Sequence, residues 1–161
     1  MPEVATEFLA FARAFRAALI ADAVEGESFA REVRDALARV YVAAALLGPP
    51  TTTEGEDPPD RPPGDYDALR ERLAARFGAN DVFVEVYDPS RLVDEDTRPF
   101  EHSLSSELAE IDEDIAEAIA WLDESRAGGP WDVRWAFENH WGQHALACLR
   151  PLHQLATYSI D

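Results

Sequence analysis

His140 and His144 stand four residues apart, a spacing that puts both imidazoles on one face of a helix and within reach of a single metal ion. Earlier in the chain, Glu107 and Asp114 stand seven apart, about two helical turns and again one face. Facing helices that offer carboxylates and histidines are how metal sites are built in helical bundles. This set therefore predicts a divalent metal held by His140 and His144, with Glu107 or Asp114 completing the ligands. A second feature lies just ahead of the histidines. Arg134 and Glu138 are also four apart, and at about 100° per residue they fall inside an apolar arc formed by Trp131, Trp135, Phe137, Trp141, Ala145, Leu146, Cys148, Leu149 and Leu152. Charges drawn into such an arc are costly unless they are paired. The candidate cluster is therefore Arg134, Glu138, His140, Trp141, His144, Glu107 and Asp114. In it Arg134 would hold an anionic group and Glu138 would orient a ligand or act as a base.

Each of these residues also has a plainer reading. Trp141 follows His140 directly, so the pair lacks the glutamate of a zinc-protease motif and reads first as a structural or surface feature. Glu107 and Asp114 read first as solvated carboxylates of an acidic helix, and Arg134 with Glu138 as a structural ion pair. The tryptophans read as core, and Cys148 as an inert core thiol. His102 and His153 carry no signal of their own. Neither a phosphate-cradling glycine loop nor a nucleophile elbow occurs.

The elements that must position these residues are helical. Val4, Phe8, Phe11, Phe15 and Leu19 recur at steps of three and four, predicting a helix over 3–24 closed by Gly26. Phe29, Val33, Leu37, Val40, Ala44 and Leu47 predict a second, capped by Ser28 and stopped by Gly48 and Pro49–Pro50. Six of the eleven prolines fall in 49–64 among several acids, which predicts a mobile proline-rich loop. A third helix spans about 65–77 and ends at Gly78. Residues 82–87 alone favour a strand; with no partner strand in view, they read as an irregular packed segment or a short helix, and 90–102 as loop. A fourth helix runs from a Ser103 or Ser105 cap to Asp123. A fifth begins at Pro130, after Gly128-Gly129, and continues to about Tyr158, kinked or interrupted at Pro151. The prediction is an all-α, single-domain bundle over 1–161, with four long helices and one shorter one.

Composition limits what this bundle can do. The chain has 161 residues, 47% of them hydrophobic, enough for one real core. Its net charge is −18, and all 14 basic residues are arginine. A body this acidic repels phosphate backbones and anionic lipid, which excludes direct nucleic-acid and membrane binding. One cysteine excludes an internal disulfide. The N-terminal segment puts Glu3 and Glu7 first and then breaks its apolar run with Arg13 and Arg16, the reverse of a secretory signal, so a cytoplasmic location is expected.

Three blocks together resemble a known bacterial family: Val86-Tyr87-Asp88-Pro89, Ser103-Leu104-Ser105-Ser106-Glu107-Leu108-Ala109-Glu110-Ile111, and Trp131-x-x-Arg134-Trp135-x-Phe137-Glu138-x-His140-Trp141-Gly142-x-His144-Ala145. The family is the one catalogued as domain of unknown function 5063. The resemblance implies a helical fold over most of the chain and no assigned activity. It also implies a genomic association with a recombination mediator, hence a basic or DNA-repair-associated protein as partner. Ser106 and Asp112 depart from the family's acidic and aromatic residues, which weighs against a conventional acidic metal cluster. With no complete catalytic constellation and no required cofactor, the leading expectation is a non-enzymatic protein-binding or regulatory module. The metal-binding protein or metal-dependent enzyme is the alternative. An acidic nucleic-acid mimic, motivated by the acids over 101–124, is the third.

Overall fold

The chain was examined as a computed structural model that describes residues 3–22, 24–47, 64–85, 99–123 and 128–158. Helices dominate. In chain order they are α1 (Glu3–Ile20), α2 (Gly26–Leu46), α3 (Tyr66–Phe77), α4 (Leu104–Asp123), α5 (Gly129–Ala136) and α6 (Gly142–Thr157). Between α3 and α4 come two short strands, β1 (Val82–Glu85) and β2 (Phe100–Ser103). A π turn over Phe137–Trp141 joins α5 to α6, so these two form one long interrupted helix, and the bundle is single-domain and helical as expected. The proline-rich stretch, apart from Gly64, lies outside the described residues.

The predicted stripes form the core. Phe8, Phe15 and Leu19 of α1 are buried, as are Phe29, Val33, Leu37, Val40 and Ala44 of α2, Leu73 and Phe77 of α3, and Leu104, Leu108, Ile111, Ile115 and Leu122 of α4. α2 packs between α1 and α6, while α4 packs against α1, α3, α5 and α6. That central place for α4 decides the fate of its acids. Asp112 pairs with Arg16 at 2.8 Å, and Asp123 with Arg13 at 2.7 Å, tying α4 to α1.

Residues 82–85 are extended, contrary to the irregular or short-helical segment expected. Their partner is β2, inside the stretch read as loop. The two run antiparallel, with Val82 opposite Ser103, Phe83 opposite His102, Val84 opposite Glu101 and Glu85 opposite Phe100. β2 is Phe-Glu-His-Ser, too short and too polar to announce itself, and residues 86–99 separate the strands. The ribbon runs straight into α4. The Ser103 hydroxyl accepts from Ser106 N–H at 3.1 Å, the expected serine cap. Asp81 adds a cap from outside the helix, accepting from Ser105 N–H at 2.8 Å and from its hydroxyl at 2.7 Å.

The last helix departs from expectation twice. It runs through Pro151 to Thr157 without a break, held by Cys148, Leu152 and Ala156 in the core. Its interruption comes earlier, at the π turn. There Gly142 N–H reaches back to the Phe137 carbonyl, one residue further than in an α-helix. A Cβ on Gly142 would lie 2.4 Å from that carbonyl oxygen and 3.0 Å from the Phe137 ring, so only glycine fits. A uniform 100° projection ignores this extra residue, and the arc it drew is too wide. Val133, Phe137, Trp141, Ala145, Cys148 and Leu152 are buried, but Trp131, Trp135 and Leu146 are exposed.

Candidate functional site

α4 places Glu107, Glu110 and Asp114 at steps of three and four, on neighbouring positions of one face. Glu107 and Asp114 are not solvated: only 6% and 7% of each residue remains exposed. A carboxylate this deep needs partners, and the segment across from it supplies them. His140 Nδ1 lies 2.8 Å from Asp114 Oδ2, and His144 Nδ1 lies 2.6 Å from Glu107 Oε2. The other oxygen of Glu107 lies 2.6 Å from Nδ1 of His102, on β2. Three imidazoles are thus held by two buried carboxylates, each through Nδ1. A ring nitrogen facing an ionised carboxylate carries the proton, so in the neutral ring Nε2 is left with its lone pair.

These groups border a cleft of about 240 Å³, walled by Glu85, Phe100 and His102 on the ribbon and by His140 and His144 on the last helix. The His140 and His144 rings stand 4.8 Å apart between centroids, nearly edge to face. Candidate ligand atoms of Glu110, His140 and His144 all lie within 4.8 Å of one another. The carboxylate placed to complete a metal's ligands is therefore that of Glu110, while Glu107 and Asp114 stand behind the histidines and orient them. Carboxylates in that position fix the tautomer and raise ligand basicity in metal sites.

Electrostatics follow from the same contacts. Burial by itself would raise Glu107, but the hydrogen bonds to His144 and His102 outweigh it and hold the carboxyl below its usual range. His144 is raised, chiefly by its hydrogen bond to Glu107, against the opposing effect of burial. The Cys148 thiol, fully buried, is pushed well above its ordinary value by desolvation and is inert, as read from the sequence.

Three sequence candidates lie elsewhere. Trp141 is fully buried and packs on Phe137 with ring centroids 4.8 Å apart, making it a core residue. Arg134 and Glu138 do pair, at 2.6 Å, but not as charges sunk in an apolar arc: the Glu138 side chain is 51% exposed. The guanidinium of Arg134 also donates to the carbonyls of Ala44, Ala45 and Leu47, the open C-terminal end of α2. It belongs to a helix cap, away from the histidines. The residues missed are His102, Glu85 and Glu110. Only the strand pairing brings the first two to the cleft, and Glu110 was one acid among many on α4.

The crystal structure of protein BF1032 from Bacteroides fragilis shares this fold, with a TM-score of 0.77 at 23% identity over 99% of this chain and 96% of that one. No curated protein matches. The family model described as Domain of unknown function (DUF5063) matches residues 1–158, and the chain belongs to that family.

Proposed function

We propose that the protein binds a divalent transition metal through His140, His144 and Glu110. The observation that carries this reading is the shared way the two histidines are held. Each Nδ1 is fixed by a buried carboxylate of α4, which leaves each Nε2 for a ligand beside a third acidic group. Two imidazoles and one carboxylate suit zinc, iron or manganese, and an open cleft leaves room for water or a small molecule at the remaining positions. Metal content of protein purified without a histidine tag tests this, alongside melting with and without chelator. A stoichiometric metal whose removal lowers the Tm is expected, with uptake lost in the His140→Ala/His144→Ala double variant. Protein that holds no metal and does not respond to added zinc, manganese or iron would overturn it.

A second reading, a surface for a protein partner, is favoured by the exposure of Trp135, Val42, Leu46 and Leu146, since exposed large apolar side chains mark contact surfaces when they cluster. Size-exclusion chromatography with candidate basic or DNA-repair-associated partners tests it; a complex that survives Trp135→Ala would count against this surface. The nucleic-acid mimic has less support. Asp112 and Asp123 of α4 pair with arginines and Glu107 and Asp114 with histidines, which takes much of that acidic face away from a basic partner.

A further inference from the structure

We infer that the same cleft holds a second cation position on its ribbon side, formed by Nε2 of His102 and the carboxylate of Glu85. The strand register creates the pair. Glu85 lies opposite Phe100 and His102 opposite Phe83, so Glu85 and His102 are diagonal neighbours on the inward face of the ribbon. Phe83 stacks on the His102 ring at 5.6 Å, and Phe100 lies against it at 4.5 Å. With Nδ1 bound to Glu107 at 2.6 Å, the ring has little freedom to turn.

His102 Nε2 is buried and has no hydrogen-bond partner among the described residues. Its nearest charged neighbour is Glu85 Oε2 at 3.8 Å. With the proton on Nδ1, a lone pair faces a carboxylate oxygen. Two acceptors cannot satisfy each other, and a buried unsatisfied nitrogen is costly. Only a positive charge between them resolves the contact. A second proton would draw the pair to hydrogen-bond length, about 2.7–2.9 Å, well inside the observed separation. A metal ion fits better. Ligand bonds of about 2.0–2.1 Å set nitrogen and oxygen roughly 3.3 Å apart in a tetrahedral shell, and the half-exposed Glu85 side chain can close that difference. The orienting carboxylate on Nδ1 repeats what is seen at His140 and His144, and here Glu107 serves both His102 and His144. The ligand class is a divalent cation that accepts mixed nitrogen and oxygen donors, with water completing its shell.

This position stands on residues other than the first site's proposed ligands, so the two can fail separately. Metal-free full-length protein is dialysed against zinc or manganese and the bound metal is counted. Two equivalents are expected for the wild type. Glu85→Gln should drop the count to one, and His140→Ala/His144→Ala should also leave one. An unchanged count in Glu85→Gln overturns the second position, whatever the double variant does. A single equivalent lost in Glu85→Gln but kept in the double variant would remove the first site and leave this one. Nitrogen NMR of the His102 ring gives an independent reading that does not depend on stoichiometry: Nε2 should shift on zinc addition, and an Nε2 that stays protonated at saturating zinc sinks the proposal.

Discussion

Glu107 and His144 meet across α4 and α6 at 2.6 Å, and the same carboxylate turns its other oxygen to His102 at an equal distance. One buried side chain thus joins the last helix to the ribbon. Glu107→Gln keeps the shape but offers an amide N–H₂ where one imidazole N–H expects an acceptor. The expected loss is about 1–3 kcal/mol, the usual cost of an unmet buried partner. In a chain of this length, that corresponds to a Tm lower by roughly 2–4 °C per kcal/mol, read by calorimetry on metal-free protein.

The shifts on this pair set the pH dependence of the metal-free fold. Glu107 is held below its ordinary 4.5, so its contribution is present above that value and fades as pH falls through the lowered one. His144 is raised above its ordinary 6.5, so its contribution is full below that value and fades as pH rises through the raised one. The pair therefore stabilises most between the two ordinary values. Urea midpoints of the wild type and His144→Gln, measured across that range and beyond, should differ most inside it and converge on both sides. A difference that grows steadily into alkaline solution would contradict the assignment.

Gly142→Ala reverses a familiar rule. In most helix interiors the exchange gains about 1 kcal/mol, but here the new methyl would meet the Phe137 carbonyl at 2.4 Å. A loss of about 1–3 kcal/mol is expected, as for other overpacked sites, together with weaker metal uptake because His140 lies within the π turn. Thermal unfolding and metal dialysis on one preparation check both.

Arg134 and Glu138 should behave unequally. Arg134→Met leaves the final carbonyls of α2 without their donor and is expected to cost about 1–3 kcal/mol. Glu138→Gln removes only the half-exposed half of an i, i+4 pair and should cost under about 1 kcal/mol. Equal losses, measured by denaturant titration, would restore the picture of a buried pair.

How far the sequence carried depended on the range of the information. Local periodicity marked α1 to α4 through Phe8, Leu37, Leu73 and Ile115, because an amphipathic stripe is written in residues three and four apart. It also placed His140 and His144 on one face and Glu107 and Asp114 on another. That the two faces meet, and that both acids are buried, comes from the packing of α4 against α6, which no local pattern encodes. The ribbon escaped notice because its register joins Glu85 to Phe100 across a long separation, through a strand of four residues with little β-preference. The exposure of Trp135 was missed because a single regular helix was drawn through Phe137–Trp141.

The π turn has a further consequence as a record of chain length. It accommodates one residue more than an α turn, so deleting any one of residues 137–141 would heal the helix and swing everything beyond it by about 100°. Cys148 and Leu152 would leave α2, and His144 would leave Glu107, in the same step. Core and cleft thus depend on one inserted residue, and in this part of the chain a single-codon deletion should be tolerated far less than most substitutions.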